Sequence, residues 1–366
     1  MASSHKLLSL FLFLWCVNAR DDEVEPVVHH ARLLINRLYV FGDSNVDPGN
    51  TMKVVDPDTK HVTTVGLTAD FPPYGIDFDD KSTATGRFTN GKTAADCLGS
   101  QSSIPLAYAD FLDDNRTSIL NIPGINYASS GCGILPYTKP PMVECFNLKR
   151  QIDFLNLTVN QDLSQALGKL SALKMYLSDA VFFISIGVND FVFTYPTVYP
   201  KVMPSNYSIA SLMRLKTLLT KNALQRLYQI GARRFIVNNI APLGCLPQLR
   251  NKATGRCNEE VNEPLIPYNN QLAALLKTLK SEHDAEFFLA DSHSLFNQMI
   301  WYPGQYGFMN VKDPCCGEDY HGRSVCLPGS TPCSNRDEYL FFDSEHVTEA
   351  ANCVFARLCI DRTICN

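Results

Sequence analysis

Apolar runs alternate with helical patterns along the central part of the chain. Residues 180–186 (Ala-Val-Phe-Phe-Ile-Ser-Ile) form a continuous apolar run, which is typical of a strand buried on both faces. Residues 208–230 carry leucines at helical spacing and end at Gly231, a residue type favoured just after a helix. The alternation continues with a strand at 235–240, a helix at 268–283 and a strand at 285–290. This order predicts a parallel sheet with helices on both faces.

Two further strands are predicted in the N-terminal third of the chain. Residues 35–41 are rich in β-forming side chains and end abruptly at Gly42, and residues 124–128 form a short apolar stretch before a Ser-Ser-Gly turn. In parallel sheets of this kind, ligands bind beyond the carboxyl ends of the strands. The residues that come soon after three of these strands should therefore lie on one edge of the sheet, and they are Ser44, Gly131 and Asn189.

Composition agrees with one globular α/β domain. The chain has 366 residues, of which 45% are hydrophobic and 19% charged, enough apolar side chains for a full core. No internal repeat or low-complexity tract divides it, so we expect a single domain over residues 35–366. The formal net charge of −5 and the lack of a basic run argue against nucleic acid as a partner.

The first residues are typical of an export signal. Lys6 provides a positive charge, residues 7–17 form an apolar run of about 11, and Val17-Asn18-Ala19 resembles a small-residue cleavage site. A membrane anchor is the alternative, but a span requires about 20 apolar residues, and no later segment meets that length either. We therefore expect a cleaved signal peptide at 1–19, a flexible polar lead-in at 20–34, and secretion, with the vacuole as a second destination.

Cysteine use points to the same oxidising route. Of the 13 cysteines, Cys16 lies in the signal, so the mature chain keeps an even number. Five cysteines crowd the C-terminal region: Cys315, Cys316, Cys326, Cys333 and Cys353. Metal binding is the competing explanation, but the paired Cys-x-x-Cys or Cys-x-x-His spacing of zinc sites is missing there. We expect disulfides, whose connectivity the sequence leaves open, and no metal site.

Three sequons would carry glycans if the chain enters the secretory pathway. Each has the Asn-x-Ser/Thr pattern, and glycan acceptors of this kind are expected on surface loops. They begin at Asn115, Asn156 and Asn206.

The candidate chemistry centres on a serine and a histidine. Serine is a poor nucleophile until a base takes its proton, and the base is usually a histidine oriented by a carboxylate on its other ring nitrogen. Of eight histidines, His346 has an aspartate, Asp343, three residues earlier in a polar loop. A surface Asp-His pair, or a helix N-cap at Asp343 or Ser344, is the alternative explanation of this spacing.

An acyl-transfer site also needs donors for the oxyanion that forms in the reaction. The backbone N–H groups of Ser44 and Gly131 and the side-chain amide of Asn189 could supply three. Alternatively, Gly131 permits a turn and Asn189 caps a helix that starts at Asp190. We expect Asp43 to shape the serine turn rather than to act as an acid, with three scaffolding residues beside it: Asp47, Gly49 and Asn50.

Six motifs, in order along the chain, resemble plant GDSL esterase/lipases of the SGNH hydrolase superfamily. They are Gly-Asp-Ser-Asn-Val-Asp-Pro-Gly-Asn at 42–50, Gly-Arg-Phe-Thr-Asn-Gly at 86–91, Gly-Ile-Asn-Tyr-Ala-Ser at 124–129, Gly-Val-Asn-Asp at 187–190, Pro-Leu-Gly-Cys at 242–245 and Tyr-Leu-Phe-Phe-Asp-Ser-Glu-His at 339–346. The match covers nearly the whole mature chain. The resemblance implies a flavodoxin-like three-layer α/β/α sandwich with a central parallel sheet.

The resemblance also implies the role of each site residue. Ser44 would be the nucleophile, His346 the general base and then the acid, and Asp343 the carboxylate that orients His346. Gly131 and Asn189 would complete the oxyanion hole with the Ser44 N–H. The chain departs from the family pattern at four places: Asn45 stands for leucine, Ser130 for the first of a glycine pair, and Phe342 and Val347 for tryptophan and proline.

Three functions are compatible with these residues. The first is a secreted serine esterase or lipase in lipid degradation, which needs no cofactor and acts on a small ester or lipid. The second is an acyltransferase, in which an alcohol acceptor attacks the same acyl-enzyme in place of water. The third is a non-catalytic binding protein. Nothing in the sequence requires an oligomer, so a monomer is the default expectation.

Overall fold

The structure is a computed structural model that describes most of the chain beyond its N-terminus. The described residues are 31–52, 54–55, 62–63, 69–79, 84–99, 104–113, 118–139, 144–194, 209–320 and 323–366. Within them, Arg32–Asn366 form one compact unit. The expected signal peptide, lead-in residues 20–30, and the sequons at Asn115 and Asn206 lie outside the described residues.

Six parallel strands form the central sheet. Further short strands lie outside this sheet. All the described strands are, in chain order, β1 (Leu38–Gly42), β2 (Val54–Val55), β3 (Val62–Thr63), β4 (Leu106–Ala107), β5 (Ile125–Asn126), β6 (Val181–Ser185), β7 (Arg234–Asn238), β8 (Glu286–Ala290), β9 (Asn310–Pro314), β10 (Glu318–Tyr320), β11 (Arg323–Val325) and β12 (Tyr339–Phe341). The sheet order is β4-β5-β1-β6-β7-β8, and the remaining strands pair two by two. Gly42 lies opposite Ser185, so β1 and β6 end at the same edge.

Helices flank this sheet. They are α1 (Ala94–Leu98), α2 (Tyr108–Asp113), α3 (Leu148–Thr158), α4 (Ser164–Leu167), α5 (Leu170–Asp179), α6 (Val188–Thr194), α7 (Ile209–Ile230), α8 (Glu259–Asn262), α9 (Leu265–Glu282), α10 (Ser292–Trp301), α11 (Pro303–Tyr306) and α12 (Glu349–Ile360). A π-helical turn, Val159–Leu163, joins α3 to α4.

The aromatic core shows that the helices form two separate layers. On one face of the sheet, Phe41 stacks on Tyr127, whose hydroxyl donates to Thr158 of α3. On the opposite face of the sheet, Phe183 contacts Phe355 of α12. The parallel α/β sheet with helices on both faces is therefore confirmed, and an additional short edge strand, β4, lies beyond β5.

The end of the lead-in is packed, contrary to the expectation of a flexible segment through residue 34. Leu33 is buried and its N–H donates to the Ile360 carbonyl at 2.8 Å. Arg32 lies 2.7 Å from the Asp361 carboxylate. An apolar side chain at this position can be buried against α12, so residues 32–34 belong to the folded unit.

All twelve cysteines after Cys16 are paired, which confirms the expected disulfides. The pairs are Cys97–Cys353, Cys132–Cys145, Cys245–Cys257, Cys315–Cys333, Cys316–Cys326 and Cys359–Cys365. The first pair joins α1 to α12 across 256 positions. In the part of the chain that the structure covers, no three His, Cys, Asp or Glu side chains are grouped as metal ligands.

The sequon at Asn156 was expected on a surface loop, but Asn156 lies in a helix. It is half-buried near the end of α3, because Leu148, Ile152 and Leu155 give this segment an apolar helical face. Among the described helices, none has the length and apolar character needed to cross a membrane.

Candidate active site

Ser44 lies in a tight turn directly after the central strand β1. Both backbone groups of Gly42 bond to the Gln151 amide of α3: the Gly42 N–H donates to Oε1 and Nε2 donates to the Gly42 carbonyl, each at 2.8 Å. A Cβ atom at Gly42 would lie 2.1 Å from Val46 Cγ2 and 2.8 Å from the Ser185 carbonyl oxygen. Only glycine fits this close approach, so the sequence and Gln151 together fix where β1 ends.

Asp43 shapes the turn, as expected. Its buried carboxylate accepts the Asn45 side-chain amide at 2.9 Å, the Asn45 N–H at 3.2 Å and the Gly187 N–H at 3.2 Å. Burial raises the pKa of this carboxyl, although the same hydrogen bonds oppose the shift. The Gly187 contact ties the serine turn to the segment that carries Asn189.

Asp47 joins the serine turn to the turn at Gly131. Its carboxylate accepts the N–H groups of Gly49, Asn50 and Ser130 at 2.7–2.8 Å, and also the Thr51 hydroxyl. The Asn50 side chain donates to two carbonyls of the segment that precedes Gly131, at 2.8 Å each. The expected scaffolding role of this loop is therefore confirmed by its contacts.

The structure brings the C-terminal pair to the serine. His346 Nε2 lies 2.9 Å from Ser44 Oγ, and His346 Nδ1 lies 2.9 and 3.0 Å from the two carboxylate oxygens of Asp343. Asp343 also accepts the N–H groups of Glu345 at 2.8 Å and His346 at 2.6 Å. One carboxylate thus holds both the loop and the imidazole ring.

Neither alternative explanation of the Asp-x-x-His spacing agrees with the structure. Asp343 and His346 are buried, at 5% and 8% exposure, so they are not a surface pair. The helix that follows, α12, begins at Glu349, and its N-cap is Thr348, whose side chain accepts from the Ala351 N–H. Asp343 and Ser344 therefore cap no helix.

Tyr74 is a site residue that the sequence analysis missed. Its hydroxyl donates to Asp343 Oδ2 at 2.7 Å, and the ring packs edge-on against Phe71, Phe88 and Phe342 at 5.3–5.8 Å between centroids. Phe88 in turn lies 4.9 Å from the His346 ring. This aromatic cluster contacts both members of the Asp343–His346 pair. The Gly-Arg-Phe-Thr-Asn-Gly motif at 86–91 contained Phe88 but gave it no role.

The electrostatics favour an ionised Asp343 carboxylate and make His346 more basic than a free histidine. Burial acts to raise the pKa of Asp343, but the charge and hydrogen bonds of His346 and the Tyr74 hydroxyl outweigh it and lower that pKa. Burial acts to lower the pKa of His346, but the Asp343 carboxylate outweighs it and raises that pKa. A raised pKa makes the imidazole a stronger base for the Ser44 hydroxyl.

The three candidate oxyanion donors have different surroundings. No acceptor within the described ranges takes the N–H of Ser44 or that of Gly131, whose φ of +78° is a conformation that favours glycine. Asn189 donates through Nδ2 to the Cys132 carbonyl at 2.9 Å, which occupies one of its two amide protons. Asn189 lies in the first turn of α6, which begins at Val188, so it is not the cap of a helix starting at Asp190.

Asp190 connects the Asn189 segment to the loop after Gly131. Its carboxylate accepts the N–H groups of Ile134 and Leu135 at 2.9 Å and the Thr138 hydroxyl at 2.7 Å. The disulfide Cys132–Cys145 closes the same loop. The two segments that carry Gly131 and Asn189 are therefore held to each other as well as to the serine turn.

A cavity of about 80 Å³ lies beside the triad at the carboxyl ends of β6 and β7. Its walls include the chain neighbours of the site residues: Asn45, Val188, Glu345 and Val347. Part of its lining is a polar chain in which the Ser292 hydroxyl donates to Asn238 Oδ1 at 2.5 Å and the Asn238 amide donates to Ser185 Oγ at 3.2 Å. The rest of the lining is mainly aliphatic or aromatic.

The family model and similar known plant proteins match this chain over nearly all of its described length. Residues 38–358 match the model of the GDSL-like lipase/acylhydrolase family. The Arabidopsis thaliana protein GDSL esterase/lipase At1g33811 is 34% identical over 87% of this chain and 85% of its own length. GDSL esterase/lipase 7 of the same plant is 31% identical over 95% of this chain and 92% of its own. Among solved structures, the acetyl xylan esterase AlAXEase matches with a TM-score of 0.37 at 11% identity, over 88% of this chain and 96% of that one.

Proposed function

Because this chain belongs to the GDSL-like lipase/acylhydrolase family and is a carboxylic-ester hydrolase, we propose that it cleaves esters through a covalent acyl-enzyme on Ser44. The observation that carries the proposal is the contact of 2.9 Å between Ser44 Oγ and His346 Nε2, with Asp343 on the other ring nitrogen. A serine, a histidine base and an orienting carboxylate within hydrogen-bond distance are the requirements of a serine nucleophile.

The first half of the reaction forms the acyl-enzyme. His346 takes the hydroxyl proton as Ser44 Oγ attacks the ester carbonyl, and the imidazolium is stabilised by Asp343. The tetrahedral intermediate then collapses, the carbon–oxygen bond to the alcohol breaks, and His346 returns the proton to the leaving alcohol. In the second half, His346 deprotonates water, which attacks the acyl-enzyme. The second intermediate collapses, the bond to Ser44 Oγ breaks, and His346 returns the proton to that oxygen as the acid is released.

The oxyanion of both intermediates would be bound by the N–H groups of Ser44 and Gly131 and by the Asn189 amide. Donors that are already in place need no reorganisation during the reaction, which is why such sites stabilise charge well. Support comes from the fixed surroundings of these residues, since Asp47 holds the turn at Ser130 and Asp43 holds Gly187.

We also propose that the enzyme is secreted and that the cavity beside the triad receives part of a small ester or lipid. The six disulfides support an oxidising compartment. The cavity supports the substrate assignment, because its wall includes residues adjacent to both Ser44 and His346.

The test is a panel of p-nitrophenyl esters of graded chain length, with one hydroxycinnamoyl ester, assayed with wild type and Ser44→Ala. We expect hydrolysis by the wild type and a loss of at least about 10⁴-fold in kcat for the variant. Full activity of a folded Ser44→Ala variant would overturn the proposal. Adding an alcohol acceptor to the same assay separates water from alcohol as the second substrate: free acid alone supports hydrolysis, and an ester of the acceptor identifies acyl transfer.

A further inference from the structure

One buried cation lies behind the oxyanion segment and has no part in the mechanism above. Lys216 of α7 is 2% exposed, and its Nζ donates to the Gly187 carbonyl at 2.8 Å. The same Nζ is 3.9 Å from the ring centroids of both Phe191 and Tyr268 and 4.0 Å from an Asp190 carboxylate oxygen. The ammonium is thus enclosed by two rings, one carbonyl and one carboxylate.

Two of these contacts, those with Gly187 and Asp190, lie in the segment 187–190 that carries Asn189, the candidate oxyanion donor. Gly187 receives Lys216 on its carbonyl, and its N–H donates to Asp43 next to the nucleophile. The φ of Gly187 is +123°, and a Cβ atom there would lie 2.8 Å from Lys216 Nζ. The backbone at Gly187 is therefore held on both sides, two residues before Asn189.

Burying an ammonium at this position is unfavourable for stability. Burial lowers the pKa of Lys216 to about 7, even though Asp190 and Asp43 act to raise it. A methionine would fill a similar volume without this desolvation cost. A costly buried charge that contacts Gly187, Asp190 and Phe191, all within two residues of Asn189, points to a role in the reaction rather than in folding.

We propose that Lys216 is a positioning residue for Asn189: its ammonium fixes the Gly187 carbonyl and thereby the backbone from which the Asn189 amide reaches the oxyanion. This inference rests on the proposed acyl-enzyme mechanism. Lys216 itself touches neither the substrate nor the reacting atoms. Its effect should appear in kcat and depend on the presence of the Asn189 amide.

The first test compares Lys216→Met with Lys221→Met, the same substitution at a half-buried position of the same helix. We expect Lys216→Met to lower kcat by about 10- to 100-fold, because a displacement of about 1 Å in a catalytic group has effects of this size, with KM changed by less than about 2-fold. Lys221→Met should keep kcat within about 2-fold. An unchanged kcat in folded Lys216→Met, or a loss that appears only in KM, overturns the proposal.

A double-mutant cycle separates positioning of Asn189 from a general structural role. Asn189→Ala alone should lower kcat by about 10²- to 10³-fold, as loss of an oxyanion donor does. Adding Lys216→Met to Asn189→Ala should then change kcat by less than about 3-fold, because the amide that Lys216 positions is gone. An equal loss from Lys216→Met in both backgrounds overturns the proposal.

A second measurement needs no substitution at Lys216. The titratable or charged groups that face its Nζ are Asp190 of α6, Asp43 of the serine turn and Tyr268 of α9, whose pKa burial raises. As pH rises through about 7, Lys216 loses its proton and the bond to Gly187 loses its charge assistance. Deprotonation of His346 affects both proteins over the same pH range, so the quantity to follow is the ratio of wild-type kcat to Asn189→Ala kcat. We expect this ratio to fall by about 3-fold as pH rises through about 7. A ratio that stays constant overturns the proposal.

These outcomes are distinct from failure of the proposed function. If Ser44→Ala stays fully active, the acyl-enzyme mechanism and this inference both fail. If Ser44→Ala is inactive while Lys216→Met behaves like wild type, only the role of Lys216 is overturned.

Discussion

The proposed nucleophile and its proposed base are held in place by two different kinds of interaction. Ser44 continues a central strand, and its turn is fixed by buried side chains that bond to backbone groups, above all Gln151, Asp47 and Asn50. Asp343 and His346 lie on a loop outside the central sheet. Disulfide-bonded cysteines and aromatic rings pack around this loop. The two sides should therefore respond to different perturbations, although they meet at one hydrogen bond.

The base loop is joined to a cross-linked segment through its backbone. The N–H groups of Cys315 and Cys316 donate to the carbonyls of Phe341 and Phe342 at 3.0 and 2.6 Å, directly before Asp343. Cys315 and Cys316 are in turn bonded to Cys333 and Cys326. Fully buried Phe342 packs on Tyr74, the donor to Asp343. Short cross-linked loops thus give this part of the site the rigidity that a parallel strand gives to Ser44.

The largest effect is expected from Asp343→Asn on the base side. An amide cannot stabilise the imidazolium and favours the wrong tautomer of His346, so kcat should fall by about 10⁴-fold. Asp284→Asn, the same change at an exposed aspartate after α9, should leave kcat within about 2-fold. The check is steady-state kinetics together with a far-UV circular dichroism spectrum. A folded Asp343→Asn variant within about 10-fold of wild type would contradict the assignment of Asp343.

On the nucleophile side, Asp47→Ala should act mainly on stability. The substitution leaves the buried N–H groups of Gly49, Asn50 and Ser130 without their acceptor, so we expect a loss of about 3 kcal/mol in the free energy of unfolding. The measurement is denaturant unfolding of the variant and, as a control, of Asp284→Ala, the same change at an exposed aspartate after α9. Equal stability of the two variants would show that this polar network does not hold the serine turn.

The cross-links of the base loop can be tested by Cys316→Ser/Cys326→Ser. Opening this 10-residue separation should cost about 2–3 kcal/mol of unfolding free energy and lower kcat by about 10-fold, because the backbone before Asp343 loses its support. The control is Cys359→Ser/Cys365→Ser at the C-terminus, which should lose stability but keep kcat within about 2-fold. An equal change of kcat in the two double variants would contradict a specific role of the Cys316–Cys326 disulfide in supporting the base loop.

The smallest effect is expected from Tyr74→Phe, and it is visible in the pH profile. In the wild type, kcat/KM should fall toward acid as His346 is protonated, with a midpoint above 6.5 because the Asp343 carboxylate raises the pKa of His346. Without the Tyr74 hydroxyl, that carboxylate holds the imidazolium more strongly, so the midpoint should move further up by a fraction of a unit. The plateau of kcat should fall by about 3-fold. A midpoint that moves toward acid would contradict this role of Tyr74.

The sequence predicted those parts of the molecule that depend on local patterns. The apolar run at 180–186 became β6, and the leucine-rich helix at 208–230 became α7 with the expected end before Gly231. Ser44, His346 and Asp343 were predicted as site residues because motif residues follow strands or share one loop, and the structure brings the three side chains together. Helix α3 was missed, although Leu148, Ile152 and Leu155 already had helical spacing.

Other features depend on contacts between distant parts of the chain. The Tyr74 hydroxyl meets Asp343 across 269 positions, from an irregular loop in which no periodic pattern marks a buried donor. Cys97 pairs with Cys353 across 256 positions, and an even number of cysteines cannot specify that pairing. Lys216 was placed on a helix by the leucine pattern, but only the packing of α7 and α9 around Gly187 shows that it is buried.

The central claim, that Ser44 is the nucleophile and His346 its base, is tested most directly by locating a covalent adduct. Wild type, Ser44→Ala and His346→Ala would be treated with a fluorophosphonate and the modified peptide identified by mass spectrometry. We expect one adduct on Ser44 in the wild type, none in Ser44→Ala, and labelling at least about 10³-fold slower in His346→Ala. An enzyme that hydrolyses esters yet carries no adduct on Ser44 would contradict this claim.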